Sequence, residues 1–310
     1  NNARYVEACA AGERAGLYYT CIDAHLNAGE LAFIVNDSLA RVLITSRALR
    51  EVALAALPSC PRLELLLMLD AGEQDAPFLD YEGAIASMPA TPIADESLGG
   101  AMLYSSGTTG RPKGVYRRPM DPAHAAQMQQ MLTSVFRFDP ESGADRALAT
   151  GPLYHTGPFS LCFTTPLTAG IGAVIMDKWE PQRMLALIEE HRITHTFCVP
   201  TMFNRLLQLP DEVRARHDVS SLRFVIHGAA PCAVDVKKRM LDWWGPILWE
   251  MFAGTEGQGT IVSPQEWLAK PGTVGRPAPG QLRILDDAGN ELAPGQAGPI
   301  YLLNPAGSAF

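Results

Sequence analysis

Six small or hydroxylated residues, Ser105 to Gly110, follow an apolar stretch that ends at Tyr104, and Lys113 lies three residues further on. Serine and threonine hydroxyls donate hydrogen bonds, and glycine lets backbone N–H groups turn inward without a Cβ in the way. Such a loop can surround an anion, to which the lysine adds a positive charge. It is not a Walker P-loop, because Lys113 is followed by Gly114. The sequence therefore predicts an anion-binding loop, and a surface turn rich in Ser and Gly is the alternative.

Three further glycine-containing loops follow apolar runs, at 151–157, 227–231 and 253–257. Ligands of open α/β sheets bind beyond the carboxyl ends of the strands, so the four loops can build one pocket. Glu256 adds a carboxylate, a hard oxygen ligand that suits Mg²⁺. Taken alone, Glu256 also fits a solvated loop carboxylate, and His155 fits an ordinary loop or core histidine. Together, the loops and the acid are what triphosphate chemistry requires.

Alternating strand and helix patterns position these loops. Apolar runs typical of buried strands lie at 17–22, 41–45, 65–69, 146–150, 173–176, 196–199, 223–226 and 248–252. Between them, Asn27 is predicted to cap one helix, Ser46 another, and Pro181 to begin a third. This alternation predicts an α/β domain with a largely parallel sheet.

Composition narrows the class of protein. The chain of 310 residues is 47% hydrophobic and 19% charged, which is typical of a soluble globular protein. A net charge of −8 argues against nucleic-acid binding, because such surfaces are usually basic. No apolar run reaches the length of a membrane span, which leaves only peripheral association with a membrane open. Six scattered cysteines without a C-x-x-C pair favour reduced thiols and a cytoplasmic protein.

Five motifs resemble, in the same order, those of the adenylate-forming superfamily, which includes acyl-CoA synthetases, peptide-synthetase adenylation domains and luciferases. Ser105–Gly114 resembles the phosphate-loop signature, and Pro152–Gly157 resembles the acyl-pocket loop. His227–Pro231 is similar to the segment beside adenine. Phe252–Glu256 is similar to the aromatic-Gly-x-Thr-Glu motif, with Phe where Tyr is usual and Ala where Gly is frequent. Lys270–Pro277 resembles the Gly-x-x-Gly-x-Pro segment that follows.

The resemblance implies the large N-terminal domain of an adenylate-forming enzyme, with layered α/β sheets and a small β-barrel-like subdomain. We expect residues 1–270 to form the AMP-binding core and residues 271–310 to begin that subdomain. The implied reaction has two steps: a carboxylate attacks the α-phosphate of ATP and releases pyrophosphate, and the thiol of CoA then attacks the acyl adenylate. ATP, Mg²⁺ and CoA are therefore the implied cofactor and co-substrates.

The resemblance also implies roles for individual residues. Thr255 is expected to meet the α-phosphate, Glu256 to bind Mg²⁺ and His155 to lie near the developing adenylate, which makes these three the catalytic candidates. Phe252 is expected to stack on adenine. The candidates for binding ATP or AMP are Ser105, Ser106, Gly107, Thr108, Thr109, Gly110, Lys113, Gly228, Ala229, Ala230, Phe252, Ala253, Gly254 and Thr255.

The expected acyl pocket is largely apolar. Its candidate residues are Tyr154, His155, Gly157, Phe159, Met202, Phe203, His227 and Gly254. Such a lining favours a fatty or other hydrophobic carboxylic acid over a charged amino acid. An aryl or bile-acid-type acid is the alternative substrate, and a non-catalytic nucleotide-binding protein is the alternative function.

Weaker signals leave other interpretations open. His191, His195 and Cys198 have a spacing that could bind zinc on a helix, but 193–199 is typical of a strand, which argues against that site. Arg117 and Arg118 could bind the 3′-phosphate of CoA, although a solvated basic turn explains them more simply. Both chain ends look cut, and the ribose-binding Asp and catalytic Lys of the family are expected beyond residue 310. We therefore expect residues 1–310 alone to adenylate poorly, and a homodimer stays open.

Overall fold

The computed structural model of the chain describes residues 1–105, 111–118, 120–255, 257–277 and 282–302. The chain folds into two compact units, residues 3–124 and residues 1–2 with 125–310. Both units combine helices with parallel strands, which confirms the predicted α/β class. None of the described helices is long and apolar enough to cross a bilayer.

The unit of residues 3–124 contains short helices and small sheets. Its described helices are α1 (Ala3–Arg14), α2 (Ala28–Asp37), α3 (Arg50–Ala56) and α4 (Tyr81–Ala86). Its described strands are β1 (Tyr18–Tyr19), β2 (Val42–Ser46), β3 (Leu65–Leu69), β4 (Leu79–Asp80), β5 (Gly100–Ala101), β6 (Tyr104–Ser105) and β7 (Lys113–Gly114). β2, β3 and β4 form a parallel sheet in that order, β1 pairs with β5 in parallel, and β6 pairs with β7 antiparallel.

Two predicted helix caps in this unit have different outcomes. Asn27 caps α2 in a capping box, because its side chain accepts from the Glu30 N–H while the Glu30 carboxylate accepts from the Asn27 N–H. This prediction is confirmed. The predicted cap at Ser46 is wrong, since a 3₁₀ turn at Arg47–Leu49 comes before α3 and the Ser46 side chain makes no capping hydrogen bond. The intervening turn moves the start of α3 beyond the reach of the Ser46 hydroxyl.

The unit of residues 125–310 holds the larger sheet. Its described helices are α5 (Pro122–Val135, which begins just before the unit boundary), α6 (Thr156–Phe159), α7 (Thr165–Thr168), α8 (Pro181–His191), α9 (Pro200–Leu207), α10 (Asp211–Arg214), α11 (Val234–Trp244) and α12 (Pro264–Ala269). Its described strands are β8 (Arg146–Ala149), β9 (Gly172–Ile175), β10 (His195–Cys198), β11 (Phe224–His227), β12 (Leu248–Gly254), β13 (Gly257–Val262), β14 (Leu282–Ile284) and β15 (Ile300–Leu302). A π-helical turn, Ser160–Thr164, joins α6 to α7.

The sheet order in the described part of this unit is β13-β12-β11-β10-β8-β9. The five strands from β12 to β9 are parallel, and β13 is antiparallel to β12. The chain enters the sheet at β8, adds β9 on one side and then crosses to β10 on the other side. Connections therefore leave β8 and β10 in opposite directions, which creates a topological switch point between them.

The core of this unit lies against the central strands. Every residue of β10 and β11 is buried, as expected for parallel strands that are covered on both faces. One buried cluster joins strand residues Leu148, Val225 and Leu248 to helix residues Met184, Ile188, Phe203, Met240 and Trp244. This packing fixes the ends of the strands from which the candidate loops emerge.

The sequence analysis predicted most strands of this sheet to within one or two residues, but it did not predict α9, α12 or β13. α9 follows β10 after a single residue, so its apolar residues are continuous with those of the strand. The domain boundary expected near residue 270 stays a prediction. Beyond it, β14 and β15 form an antiparallel pair in the described residues.

Close backbone contact between β13 and β12 requires glycine at position 259. A Cβ at position 259 would overlap the carbonyl oxygen of Phe252 and would lie 2.8 Å from the Cα of Ala253. We expect Gly259→Ala to push these strands apart and to lower the free energy of unfolding by about 1–3 kcal/mol. All 5 tryptophans lie between residues 179 and 267, so urea unfolding followed by tryptophan fluorescence reports on this unit.

Gly172 on β9 of the same sheet provides the matched control. A Cβ there would have its nearest neighbour, a guanidinium nitrogen of Arg146, at 3.7 Å. Gly172→Ala should therefore leave stability unchanged or raise it by about 0.5 kcal/mol. Equal effects of the two substitutions would contradict the close approach at Gly259.

Candidate functional site

Candidate residues of the unit 125–310 lie at one edge of the six-stranded sheet. β8, β10, β11 and β12 are parallel neighbours, so their carboxyl ends point the same way. The loop at 150–155 follows β8, α9 follows β10, the loop at 228–233 follows β11, and β12 itself ends at Gly254. The structure thus brings three of the four predicted loops to one edge, next to the switch point between β8 and β10.

Two side chains hold the loop after β8 in place, Thr150 at the start of the loop and Asn1 at the beginning of the chain. The Thr150 hydroxyl donates to the carbonyl of Phe197 at the end of β10. The Asn1 side-chain amide donates to the carbonyl of Gly151 at 3.0 Å and accepts from the N–H of Leu153 at 3.0 Å. The sequence analysis missed Asn1, because nothing in its local pattern signals a partner more than one hundred residues away.

His155 lies at the surface end of this loop, directly before α6. It is exposed, whereas the neighbouring Tyr154 is half-buried, and their ring centroids are 4.5 Å apart. Gly157, in the first turn of α6, packs on the ring of Phe197, where a Cβ would come within 2.8 Å of the ring. Glycine at this position therefore lets the chain after β8 close over the end of β10.

The residues proposed for the acyl pocket differ strongly in burial. Phe159 and Phe203 are buried, Met202 is half-buried, and His227 has no exposed surface. The Phe203 ring meets the His227 ring edge to face at a centroid distance of 5.2 Å. Phe203 also contacts Trp244 in the apolar core, so it is a core residue as well as a neighbour of the strand ends.

The loop after β11 presents small residues at the sheet edge. Gly228 is buried, and a Cβ there would lie 2.5 Å from the carbonyl oxygen of Met251 on β12. Ala229 and Ala230 are exposed, and Ala229 has a φ of 67°, in the left-handed region that non-glycine residues rarely adopt. A flat ring can approach the backbone here, because neither alanine has a side chain longer than a methyl group.

The end of β12 lies beside this loop. Phe252 is half-buried, Ala253 and Gly254 are exposed, and the pairing with β13 shifts register between Ala253 and Gly254. Such an irregularity changes the direction of the strand and of the side chains that follow it. Thr255 is half-buried directly after the shift. Glu256 lies outside the described residues, so its predicted role stays a prediction.

The predicted anion-binding loop follows β6, a strand of the other unit. Ser105 on β6 pairs with Lys113 on β7, so the two ends of the loop are held together by an antiparallel ladder. Ser105 is half-buried and Lys113 is exposed. Ser106, Gly107, Thr108, Thr109 and Gly110 lie outside the described residues, and their roles stay predictions.

The three residues considered as zinc ligands do not lie together on one helix. His191 ends α8, whereas His195 lies in β10 with its ring stacked on Phe138 at a centroid distance of 4.2 Å. The Nδ1 atom of His195 lies 2.7 Å from the Thr194 hydroxyl. No group of three His, Cys, Asp or Glu side chains in the described residues could hold a metal ion.

A buried charged cluster beside the site was missed by the sequence analysis. Lys237 of α11 donates to the carboxylate of Glu250 on β12 at 2.8 Å, and the lysine has no exposed surface. The Nε2 atom of His227 lies 3.6 Å from the same Glu250 oxygen, beyond hydrogen-bonding distance. Lys237 is followed by two further basic residues, a pattern that is typical of a solvated helix face.

Burial lowers the pKa of two groups in this cluster, His227 and Lys237. Loss of solvent, and secondarily the charge of Lys237, lower the pKa of His227 to about 3. The imidazole is therefore neutral near pH 7, and neither of its ring nitrogens has a hydrogen-bond partner among the described residues. Burial also lowers the pKa of Lys237, while the hydrogen bond to Glu250 raises it and favours the ammonium form.

We expect the stability of this unit to fall on acidification because of His227 and His195. Burial lowers the pKa of His195 to about 4, and His227 titrates near 3, whereas an unfolded chain takes up these protons near pH 6.5. Stability is therefore fully present above pH 6.5 and is lost as the pH falls below it. At pH 5 each histidine should cost about 2 kcal/mol relative to pH 8.

The variant His227→Gln removes one of these titrations. Between pH 8 and pH 5 it should lose about 2 kcal/mol less unfolding free energy than the unaltered chain, measured by urea unfolding with tryptophan fluorescence. His25→Gln, at a histidine that is 84% exposed in the other unit, is the control. If His227→Gln and the unaltered chain show the same pH dependence, His227 is not held neutral by burial.

Comparisons with known proteins show to which family this chain belongs. The family model described as AMP-binding enzyme matches residues 1–308. A feruloyl-CoA synthase from Amycolatopsis sp is 29% identical over 308 residues, which cover 98% of this chain and 58% of that protein. The medium/long-chain-fatty-acid–CoA ligase FadD8 of Mycobacterium tuberculosis is 29% identical over 315 residues, covering 95% of this chain and 52% of that protein.

A solved structure has a similar fold. ATP-bound MatB from Rhodopseudomonas palustris matches with a TM-score of 0.71 and 26% identity, over 94% of this chain and 56% of that chain. The chain thus spans little more than half the length of each of these relatives. Because the family model extends over nearly all of its residues, this chain belongs to the AMP-binding, adenylate-forming enzymes.

Proposed function

We propose that this protein activates a carboxylic acid with ATP, releases pyrophosphate, and transfers the acyl group from the adenylate to CoA. The observation that carries the proposal is the common sheet edge from which the loops at 150–155 and 228–233 and the end of β12 emerge. Two relatives, a feruloyl-CoA synthase and a fatty-acid–CoA ligase, support an acid–thiol ligase.

The small residues after β11 suit the adenine ring of the nucleotide. Ala229 and Ala230 are exposed and short, and the half-buried Phe252 lies at the end of the neighbouring strand. We assign Phe252 to stack on the base and Gly228, Ala229 and Ala230 to line its other side. Base–aromatic stacking contributes about 1–3 kcal/mol per base, so this contact should be measurable in nucleotide affinity.

Joining two anions requires positioning and neutralisation of charge. We assign the Thr255 hydroxyl to the α-phosphate and His155 to the junction between nucleotide and acyl group. Glu256 would bind Mg²⁺, which supplies positive charge to the phosphates when it is bound. The segment 105–110 and Lys113 are assigned to the β- and γ-phosphates, on the strength of residue type alone.

We propose a hydrophobic carboxylic acid as the substrate. The residues after β8 and at the start of α9 that are assigned to its pocket are mostly apolar or aromatic, and several are buried. The two relatives act on different acyl groups, feruloyl and medium- or long-chain fatty acyl, so an aryl acid is the alternative within this class. The cytoplasmic location and a homodimer remain predictions.

The nucleotide assignment predicts that Phe252→Ala weakens binding of an acyl adenylate mimic. Octanoyl-sulfamoyl adenosine should bind the unaltered chain, and Phe252→Ala should raise its Kd by about tenfold or more, because the stacking contact is lost. Isothermal titration calorimetry on the 310-residue chain measures both values. Phe252→Tyr, which keeps the aromatic ring, is the matched control and should bind normally. An unchanged Kd in Phe252→Ala would refute the stacking role.

The substrate assignment predicts an order of affinities for acyl groups on the same sulfamoyl adenosine. Octanoyl and cinnamoyl derivatives should bind more tightly than an alanyl derivative, because an apolar pocket does not compensate a charged amino group. Competition against the octanoyl derivative ranks the three compounds. Tightest binding of the alanyl derivative would reject a hydrophobic acid in favour of an amino acid, and the ratio of octanoyl to cinnamoyl affinity separates fatty from aryl substrates.

A further inference from the structure

A buried ion pair lies next to the loop at 228–233 and to the end of β12, which are both assigned to the nucleotide. The Nζ atom of Lys237 is 2.8 Å from Oε2 of Glu250, and both side chains are almost completely excluded from solvent. The lysine ammonium also lies 4.7 Å from the centroid of the Trp267 ring on α12, which is itself buried. The pair therefore connects α11, β12 and α12 inside the unit.

The pair joins the two ends of the loop at 228–233. Glu250 is the register partner of His227, the last residue before this loop, and lies two residues before Phe252 on β12. Lys237 lies in the first turns of α11, the helix that follows the loop, and its N–H donates to the carbonyl of Ala233 at 3.1 Å. Glu250 is thus linked to the entry of the loop through strand pairing and to the exit of the loop through its carboxylate.

Stability alone does not explain why charged groups occupy these positions. Removing an ammonium and a carboxylate from water costs several kcal/mol per ion, and well-packed apolar residues are often as stable or more stable in such places. An ion pair differs from an apolar contact because its hydrogen bond has a preferred direction and length. It can therefore hold the loop in one arrangement where an apolar contact would permit several.

We propose that the Lys237–Glu250 pair is a positioning device that fixes the loop at 228–233 against the end of β12 and thereby sets the affinity for the adenine nucleotide. This inference rests on the proposed function, because it requires the nucleotide to bind at that loop. Lys237 and Glu250 act through Gly228, Ala229, Ala230 and Phe252 rather than by touching the ligand.

The double variant Lys237→Met with Glu250→Leu separates positioning from stability. It removes both charges together, so it leaves no unpaired buried ion, and its urea midpoint should equal or exceed that of the unaltered chain. Its Kd for AMP, and for octanoyl-sulfamoyl adenosine, should nevertheless rise by about tenfold. Lys238→Met is the matched control, since Lys238 is the adjacent but exposed residue of α11, and it should change neither quantity.

A conservative variant covers the case in which the double variant does not fold. Glu250→Asp keeps both charges but withdraws the carboxylate by one methylene group, and it should bind AMP more weakly while remaining folded. Normal affinity for AMP in a folded double variant, or in Glu250→Asp, would overturn the positioning role and leave the nucleotide site intact. Failure of the unaltered chain to bind either ligand would instead reject the proposed nucleotide site, and this inference with it.

Discussion

The candidate site depends on the parallel pairing of β8, β10, β11 and β12. Parallel strands that are covered on both faces cannot present their side chains to a dissolved ligand along their length, as the fully buried β10 and β11 illustrate. The chain can expose polar and small residues only where each strand ends, and parallel pairing brings those ends to one edge. The crossing from β9 to β10 then separates the connections that leave β8 and β10, which opens the edge to a ligand.

Close backbone contact is the second constraint at this edge. Gly157 packs on the ring of Phe197, Gly228 faces the carbonyl of Met251, and Gly259 faces the carbonyl of Phe252. In each case a Cβ would occupy space that already belongs to a neighbouring strand or ring. The glycines of these segments therefore bring the strand ends together, in addition to giving a ligand access to the backbone.

The alternation of strands and helices and the loops at the strand ends could be predicted from the sequence, because they follow from patterns within ten or fifteen residues. The position of β3 was predicted to the residue. What could not be predicted depends on partners far apart in the chain. Lys237 resembles a solvated lysine until Glu250 and Trp267 are placed around it, and Asn1 has no local signal for its contacts with the loop after β8. Ser46 satisfied the local rule for a cap, but the turn that follows it overrode that rule.

The site edge also contains buried polar groups whose removal from water is costly. His227 is buried with two unpartnered ring nitrogens among the described residues, and beside it an ammonium and a carboxylate are withdrawn from water. A sequence selected for stability alone would fill these positions with apolar side chains, as it does at Phe203 and Trp244 only one packing layer away. Departures from the rules of core packing are expected where a protein needs one defined arrangement of backbone. The position of this cluster next to the loop at 228–233 is consistent with a loop geometry that has to match a ligand.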